Sequence, residues 1–311
     1  MLHHAVSGKT FLCVCLNPVL QKTLVFGRLE LGEVNRTDSY RLDVAGKGIC
    51  PTRVLTQLGE KAIHLTQLGG PTRDWFLSKC ADDGLEVEWV ESGAPIRFCT
   101  TLIERDPKEA TELVEEALPV AENTSGLILE RLSAILPRVD AVLLSGTVAA
   151  GIRPGTMGRM AALAREAGKR LYLDIKGKDL QDCLQYRPVC VKPNLEELAA
   201  TMGVPYASVK EERAARALVA KAGGEYFDRY GSCLVVTRGA ASTLYWDGRA
   251  LKERGIDRVD VVNPIGSGDS FGAGLARMLE GGADLEAAVA EGTRLGGLNA
   301  ARLKPGSILP D

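Results

Sequence analysis

The stretch VVNPIGSGDSFGAGLARMLEGG, residues 261–282, joins an apolar run to a turn of small residues and then to a helical pattern. We predict a strand at 260–262, a turn at 263–269 and a helix from Ser270. Small residues let backbone N–H groups converge on one point, and the helix macrodipole adds partial positive charge there. The stretch therefore predicts an anion site, for a phosphate or for the oxyanion of a transition state.

Asp269, in the middle of this turn, has two interpretations. A carboxylate beside an anion site can take a proton from an alcohol while the site stabilises a phosphoryl group in transfer. Aspartate is also an ordinary helix cap, and glycine and serine are ordinary turn formers. The turn lacks the Gly-Lys-Ser/Thr of a Walker A loop, and its third glycine comes one residue too late for GxGxxG. The turn alone leaves both interpretations open.

Most of the remaining sequence alternates short apolar runs with amphipathic helical patterns. The runs FLCVCL, AVLLSG, LYLDI, VCVKP and CLVVTRG are almost continuously apolar, which is typical of parallel strands covered on both faces. Several of the helical patterns end in glycine, as helices often do. We predict an α/β fold, a three-layer α/β/α sandwich with a mostly parallel central sheet, as a single domain over residues 1–311.

Two segments interrupt this alternation, at about 22–45 and 95–118. Both are β-rich, and the second has two strand patterns around Asp106-Pro107. We predict that they form a small antiparallel sheet that projects from the core. Such a sheet can be a lid that excludes water from a reactive site. A pair of hairpins without a function is the alternative.

Composition limits the classes of partner. The chain of 311 residues has 38 basic and 40 acidic residues, a net charge of −2, and no basic block, which argues against nucleic acid or an anionic membrane as partner. Its eight cysteines are scattered without a CxxC pair, as expected for free thiols in a reducing cytoplasm. The apolar run FLCVCL is too short for a signal sequence or a membrane span. We therefore expect a cytoplasmic protein.

The motif NPIGSGDSFGAG resembles the C-terminal signature of the phosphofructokinase B (PfkB) carbohydrate kinases, in the ribokinase-like superfamily. The usual signature is Asp-Thr-x-Gly-Ala-Gly-Asp. Here Asn263-Pro264 replaces Asp-Thr, as in the hexose-phosphate branch, and Ser267 replaces alanine. Further landmarks precede this motif in the chain and occur in the family's order, namely CLNPVLQKT, VAGKGICPTRVLTQLG, SGTVAAGI, VKPNLEEL and VVTRGAAST. The resemblance covers nearly the whole chain and implies a ribokinase-like fold with a β-sheet lid.

The resemblance also implies an activity. The sequence is similar to kinases that transfer the γ-phosphate of ATP to a hydroxyl of a ketohexose phosphate. The acceptors of this branch are of the fructose 1-phosphate, fructose 6-phosphate or tagatose 6-phosphate class. Asp269 matches the general base, and the backbone of Gly266, Ser267 and Gly268 matches the anion hole. Lids in this family often pair across a two-fold axis, which implies a homodimer through the lid.

On the nucleotide side, Asn194 and Glu197 match a family motif that organises Mg²⁺ and its waters, a role that suits a hard cation. The same stretch also fits a helix N-cap followed by acidic first-turn residues. Lys192, just before it, is expected near a nucleotide phosphate. The remaining matches are Thr237 and Gly239, for the phosphates or ribose of ATP, and Asn299, for the adenine side.

On the acceptor side, Gly46, Lys47 and Gly48 match the run that holds the sugar. Lys47 and Arg97 together are expected to clamp a phosphate dianion. The residues expected to add hydroxyl contacts are Ser145 and Thr147.

The sequence departs from the family pattern mainly where sugar hydroxyls are bound. Gln21 replaces an aspartate, and Cys50 and Cys99 replace asparagines, while Ala149-Ala150 replaces Pro-Pro. Loss of polar partners can shift substrate choice. These changes leave three alternatives open: another phosphorylated sugar or polyol as substrate, a kinase of an unphosphorylated sugar or nucleoside, or a non-catalytic sugar-phosphate sensor.

Overall fold

The computed structural model describes residues 7–310, so the ends of the predicted domain, residues 1–6 and 311, lie outside the described residues. In chain order the strands are β1 (Thr10–Val14), β2 (Val19–Phe26), β3 (Tyr40–Ala45), β4 (Lys61–Leu68), β5 (Glu86–Glu91), β6 (Arg97–Glu104), β7 (Glu109–Val114), β8 (Ala141–Ser145), β9 (Arg170–Asp174), β10 (Cys190–Val191), β11 (Cys233–Arg238), β12 (Ala241–Trp246) and β13 (Leu251–Arg254). The α-helices are α1 (Ile49–Gln57), α2 (Arg73–Asp82), α3 (Thr124–Ile135), α4 (Thr156–Glu166), α5 (Gly177–Leu184), α6 (Leu195–Thr201), α7 (Glu212–Tyr230), α8 (Ser267–Glu280) and α9 (Leu285–Ala300).

The central sheet has nine strands in the order β13-β12-β11-β10-β9-β8-β1-β4-β5. The pairs from β11 to β5 are all parallel, and only β12 and β13 add antiparallel pairs at one edge. Parallel neighbours need crossover connections, which the helices between the strands supply. The mostly parallel sheet expected from the apolar runs is confirmed.

Strand β1 shows how the layers form. Phe11 and Cys13 pack into a core that also holds side chains of α1, α8 and α9. Leu12 and Val14 face the opposite way, into a core shared with α3, α4, α5, α6 and α7. Alternate residues of a strand point to opposite faces, so a continuously apolar strand is covered on both sides. The predicted three-layer sandwich is confirmed.

A second sheet of four strands, β3-β2-β6-β7, forms the lid. It is built from the two segments expected to interrupt the core, although β2 begins at Val19. The β2–β3 and β6–β7 pairs are antiparallel as predicted, but β2 and β6 are parallel. They come from separate excursions of the chain, so no hairpin forces them to run in opposite directions.

The prediction around the glycine turn is wrong in two respects. Residues 260–262 form no strand; instead the N–H groups of Val262 and Asn263 donate to the carbonyl oxygen of Ala300, at 2.7 and 3.1 Å. Helix α8 begins at Ser267 rather than at Ser270. Asp269 therefore belongs to the first turn of the helix and not to the loop before it.

The remaining expectations concern cysteines and membranes. All eight cysteines fall within residues 7–310, and each is a free thiol. None of the helices in that range combines the length and the apolar character that a bilayer crossing requires.

Candidate active site

The carboxyl ends of β1, β8, β9, β10 and β11 meet at one edge of the central sheet, where the lid covers them. Open α/β sheets bind ligands at this edge, in the crevice that the strand ends leave. A cavity of about 370 Å³ lies there. The residues proposed from the sequence that line it are Gln21, Gly46, Lys47, Cys50, Arg97, Cys99, Thr147, Lys192, Asn194, Glu197, Thr237, Gly266, Gly268 and Asp269.

Gly266 fixes the entry into helix α8. It is the N-cap residue and has a φ of +84°, which favours glycine. A Cβ atom at this position would lie 2.5 Å from the backbone nitrogen of Gly306, so the turn also packs too closely for a side chain. Gly306 in turn packs against Cys50, since its own Cβ would lie 2.5 Å from that of Cys50. The C-terminal segment thus supports the turn from behind.

The predicted anion hole of Gly266, Ser267 and Gly268 needs a correction at its middle member. The amide of Ser267 already donates to the carbonyl oxygen of Pro264 at 3.2 Å, which closes the turn. The amides of Gly268 and Asp269 belong to the first helical turn, where N–H groups have no acceptor within the helix. The amides of Gly268 and Asp269 are therefore the candidates for an anion within the helix, beside that of the N-cap residue Gly266.

Asn299, assigned from the sequence to the adenine side, has another position. It is fully buried, and its amide nitrogen donates to the carbonyl oxygen of Ile265 at 2.9 Å and to Oγ of Ser267 at 3.0 Å. Helix α9 uses this side chain to hold the glycine turn. The reason is packing: α9 lies against α8, so Asn299 reaches the turn and not the cavity.

A buried carboxylate, Asp174, organises the charges of the cavity. Its oxygens lie 3.0 Å from Nζ of Lys47 and 3.0 Å from Nζ of Lys192. Burial opposes ionisation, but the two lysines outweigh it and lower the pKa of Asp174. Lys192 itself is 5% exposed. The lysines expected at the acceptor and nucleotide sides are thus held together by one acidic group.

Asp269 lies beside this cluster and responds to it. Burial, reinforced by the charge of Asp174, raises the pKa of Asp269 to about 6, although Lys47 and Lys192 lower it in part. The thiol of Cys50 lies beside the carboxylate and lowers the pKa of Asp269 slightly. A carboxyl group with a pKa near neutrality exchanges protons readily, as a general base must.

Glu197 and Asn194 form a capping box at the start of helix α6. The side chain of Asn194 accepts from the amide of Glu197 at 2.8 Å, and Glu197 accepts from the amide of Asn194 at 2.9 Å. The second oxygen of Glu197 lies 2.7 Å from Nζ of Lys47. The helix-cap alternative is therefore realised, in a position that also lines the cavity.

The lid supplies most of the acceptor-side wall. Val19 and Gln21 of β2 pair in register with Arg97 and Cys99 of β6, and all four line the cavity. Nη1 of Arg97 donates to the carbonyl oxygen of Glu115 at 3.1 Å, while its buried Nε has no partner within residues 7–310. Arg97 thus keeps hydrogen-bonding capacity for a ligand.

Other proposed residues lie apart from the large cavity. Ser145 lines a cavity of about 20 Å³ behind it, together with Asp269 and both lysines of the cluster. Gly48 is the N-cap of α1, and a Cβ there would lie 2.2 Å from Cε1 of His64, so its role is close packing. Gly239 has a φ of +59° in the turn between β11 and β12.

Sequence reasoning missed Asp174, although the sequence contains a signal that could have identified it. The residue interrupts the apolar run LYLDI and ends strand β9, and a charged residue at the carboxyl end of a buried parallel strand points at the binding crevice. The other lining residues that the sequence did not single out include Cys15, Asn17, Glu112, Gly146 and Lys176.

The raised pKa of Asp269 predicts a pH-dependent stability. Since its pKa rises from 3.8 to about 6 on folding, its contribution is complete below 3.8 and is lost as the pH rises through 6. Asp269→Asn, neutral at every pH, should therefore raise the free energy of unfolding by roughly 1–2 kcal/mol at about pH 7.5, with the advantage shrinking towards about pH 4. Urea unfolding at both pH values measures this difference. A variant no more stable than wild type at the higher pH would contradict the shift.

Comparison with known proteins agrees with the fold and the motifs. Residues 17–311 match the model of the pfkB family carbohydrate kinases. Phosphofructokinase-2 from Escherichia coli, solved in complex with fructose-6-phosphate, has a TM-score of 0.82 at 21% identity, covering 97% of this chain and 96% of that one. A Thermotoga maritima protein described as a possible 1-phosphofructokinase has a TM-score of 0.84 at 18% identity, covering 97% and 94%. The ribokinase-like fold is confirmed, and the chain belongs to the pfkB family of carbohydrate kinases.

Proposed function

We propose that this kinase phosphorylates a hydroxyl of a sugar phosphate with ATP, and that Asp269 is its general base. The single observation that carries the proposal is the position of Asp269. Its carboxylate lines the cavity between the lid residues of the acceptor side and the strand ends of the nucleotide side, and its pKa is raised to about 6. One carboxylate can then meet both an incoming alcohol and a phosphoryl group.

The proposed step is an in-line displacement at the γ-phosphorus of ATP. The acceptor alcohol gives its proton to the carboxylate of Asp269, and its oxygen forms a bond to phosphorus. The bond from phosphorus to the bridging oxygen breaks, and ADP leaves with that electron pair. Phosphoryl transfer depends mainly on positioning and on charge neutralisation, and only one proton must move.

Charge neutralisation falls to groups around Asp269. The first-turn amides of Gly268 and Asp269 and the dipole of α8 favour an anion at this point. Lys192 is close, because a Cβ on Gly268 would lie 3.9 Å from its Nζ. Asp174 holds that ammonium group at the cavity and keeps Lys47 beside it. The transferring group would therefore meet amides and ammonium groups already in place.

The side chains of the cavity fit Mg²⁺ only as ligands that contact the ion through water. Within residues 7–310 there is no cluster of three or more acidic, histidine or cysteine side chains able to bind a metal directly. Glu197 and Asn194 are already engaged in the capping box, so they would hold the ion through water while nucleotide phosphates supply direct ligands. Bound Mg²⁺ would neutralise charge on those phosphates.

Arg97 is the proposed contact for the substrate's own phosphate. It extends from the lid into the cavity, and its Nε has no protein partner among the described residues. An arginine suits a phosphate because its fork can donate two parallel hydrogen bonds. The fructose-6-phosphate bound in the Escherichia coli phosphofructokinase-2 structure supports a ligand of this class.

One observation favours a kinase of an unphosphorylated sugar as the second candidate. Lys47, the other expected phosphate ligand, has its charge compensated by Asp174 and Glu197 at 3.0 and 2.7 Å. Burial opposes that charge, but these carboxylates outweigh it and raise the pKa of Lys47. The ammonium group of Lys47 is therefore less available to a substrate phosphate than that of a lysine without carboxylate partners.

Asp269→Asn should lower kcat by about 10²- to 10⁴-fold, because the alcohol loses its proton acceptor. In the wild type, kcat should fall about tenfold per pH unit below about pH 6, since the protonated carboxyl group cannot act as a base. An ADP-coupled assay with a panel of phosphosugars measures both, and kcat is used because a sugar phosphate also ionises near pH 6. Asp257→Asn, an exposed carboxylate outside the cavity, is the matched control. An Asp269→Asn enzyme with near-normal kcat would refute the assignment.

Arg97→Gln should raise KM for a phosphosugar by about 10- to 100-fold with little change in kcat, because charge-assisted hydrogen bonds to the phosphate are lost. The KM for unphosphorylated fructose should change far less. Arg105→Gln, at the end of lid strand β6 but outside the cavity that Asp269 lines, serves as the control. Equal effects on phosphorylated and neutral sugars would favour the second candidate.

We also propose a homodimer formed through the lid. Every residue of β7 is exposed, and so are Leu31 and Val34 near the lid, at 98% and 75%. Light scattering should give about twice the 33.3 kDa of the chain, and Leu31→Asp with Val34→Asp should lower that mass. A monomer at all concentrations would contradict the proposal.

A further inference from the structure

The acceptor side of the cavity has a neutral patch beside the proposed base. We call Val19, Cys50 and Cys99 the thiol surface. They form one buried cluster with Ala45, at 1–3% exposure, and all three line the cavity. Val19 and Cys99 come from the lid strands β2 and β6, and Cys50 comes from the first turn of α1.

The thiol surface adjoins Asp269 directly. The Cys50 thiol lies close enough to the Asp269 carboxylate for each group to shift the pKa of the other, and both residues line the same cavity. Under the proposed function, the alcohol that reaches Asp269 must bring its carbon atom against Cys50. The neighbouring carbons of the acceptor then lie along the rest of the thiol surface.

The thiols have little hydrogen-bonding capacity left for a ligand. The Cys50 thiol adjoins the Asp269 carboxylate, and the sulfur of Cys99 accepts from Nη1 of Arg97 at 3.6 Å. Burial raises the pKa of both thiols, so each remains neutral near pH 7 and offers no anionic acceptor. A thiol is in any case a weak donor and a weak acceptor.

Gln21 adds only one neutral acceptor. Its amide nitrogen donates a hydrogen bond to Oγ1 of Thr101 at 2.8 Å, which leaves its carbonyl oxygen as an acceptor for a ligand. Gln21 is 2% exposed and lies in register with Cys99, so it cannot turn away from this wall without breaking that hydrogen bond. Among Gln21 and the two thiols, a ligand hydroxyl therefore finds at most one strong partner.

We propose that the acceptor is a deoxygenated sugar or polyol phosphate, with C–H bonds instead of a hydroxyl group on at least one carbon within three carbons of its reacting alcohol. This inference rests on the proposed function and narrows its substrate class. A hydroxyl buried against the thiol surface loses its hydrogen bonds to water without replacement. C–H groups in the same place gain apolar contact. Arg97 still supplies the contact for the phosphate.

Calorimetric titration tests the proposal without turnover. The ligands are fructose 6-phosphate and its 3-deoxy and 4-deoxy forms, with the wild-type protein. At least one deoxy form should bind about tenfold or more tightly than fructose 6-phosphate. The triple variant Gln21→Asp, Cys50→Asn, Cys99→Asn should reverse this preference, whereas Cys233→Ser, a cysteine outside the cavity, should leave it unchanged.

Equal or tighter binding of fructose 6-phosphate by the wild type would overturn the proposal, and so would no binding of any of the three ligands. ADP release by wild type and Asp269→Asn, measured with the same ligands, tests the kinase mechanism separately. A wild type that prefers fructose 6-phosphate and loses turnover in Asp269→Asn would refute the substrate class and leave the mechanism standing. If the triple variant does not fold, the wild-type affinity ratio decides.

Discussion

The site depends on one ionic arrangement, in which the Asp174 carboxylate lies 3.0 Å from the ammonium groups of both Lys47 and Lys192. Two ammonium groups so close together, one of them buried, would repel each other strongly without it, because the protein interior screens charge poorly. The same carboxylate raises the pKa of Asp269. A single group at the end of β9 thus holds the positive charges in place and also adjusts the protonation of the proposed base.

The backbone that carries Asp269 is fixed just as firmly. Helix α8 is tied to the residue just before strand β4 by Arg277, whose Nε lies 2.8 Å from Oε1 of Glu60 in a buried pair. Removal of one member of such a pair typically costs about 3–5 kcal/mol, because the other charge stays buried. Asn299 and Gly306 hold the turn before the helix. Rigid support of this kind preserves the geometry that electrostatic catalysis requires.

The layers, the lid and the turn with Asp269 could be predicted from the sequence because they follow from local pattern. Periodicity marked the buried strands, and glycine with aspartate marked the anion site. Contacts between distant residues could not be predicted in this way. Lys47 meets Asp174 and Glu197 across 127 and 150 positions, so no local signal connects them. The run at 260–262 resembled a strand, yet it pairs with no strand among residues 7–310, and the amide of Val262 donates to the carbonyl oxygen of Ala300 in α9 instead.

The division of labour between lid and core has an evolutionary consequence. Val19, Gln21, Arg97 and Cys99 all belong to the lid sheet, whereas the strand ends and α8 belong to the core. Under the proposed function, mutations in the lid strands β2 and β6 can therefore change which acceptor is bound without altering the core residues proposed to meet the nucleotide. Duplicated copies of such a gene could acquire different substrate specificities while keeping the same phosphoryl-transfer chemistry.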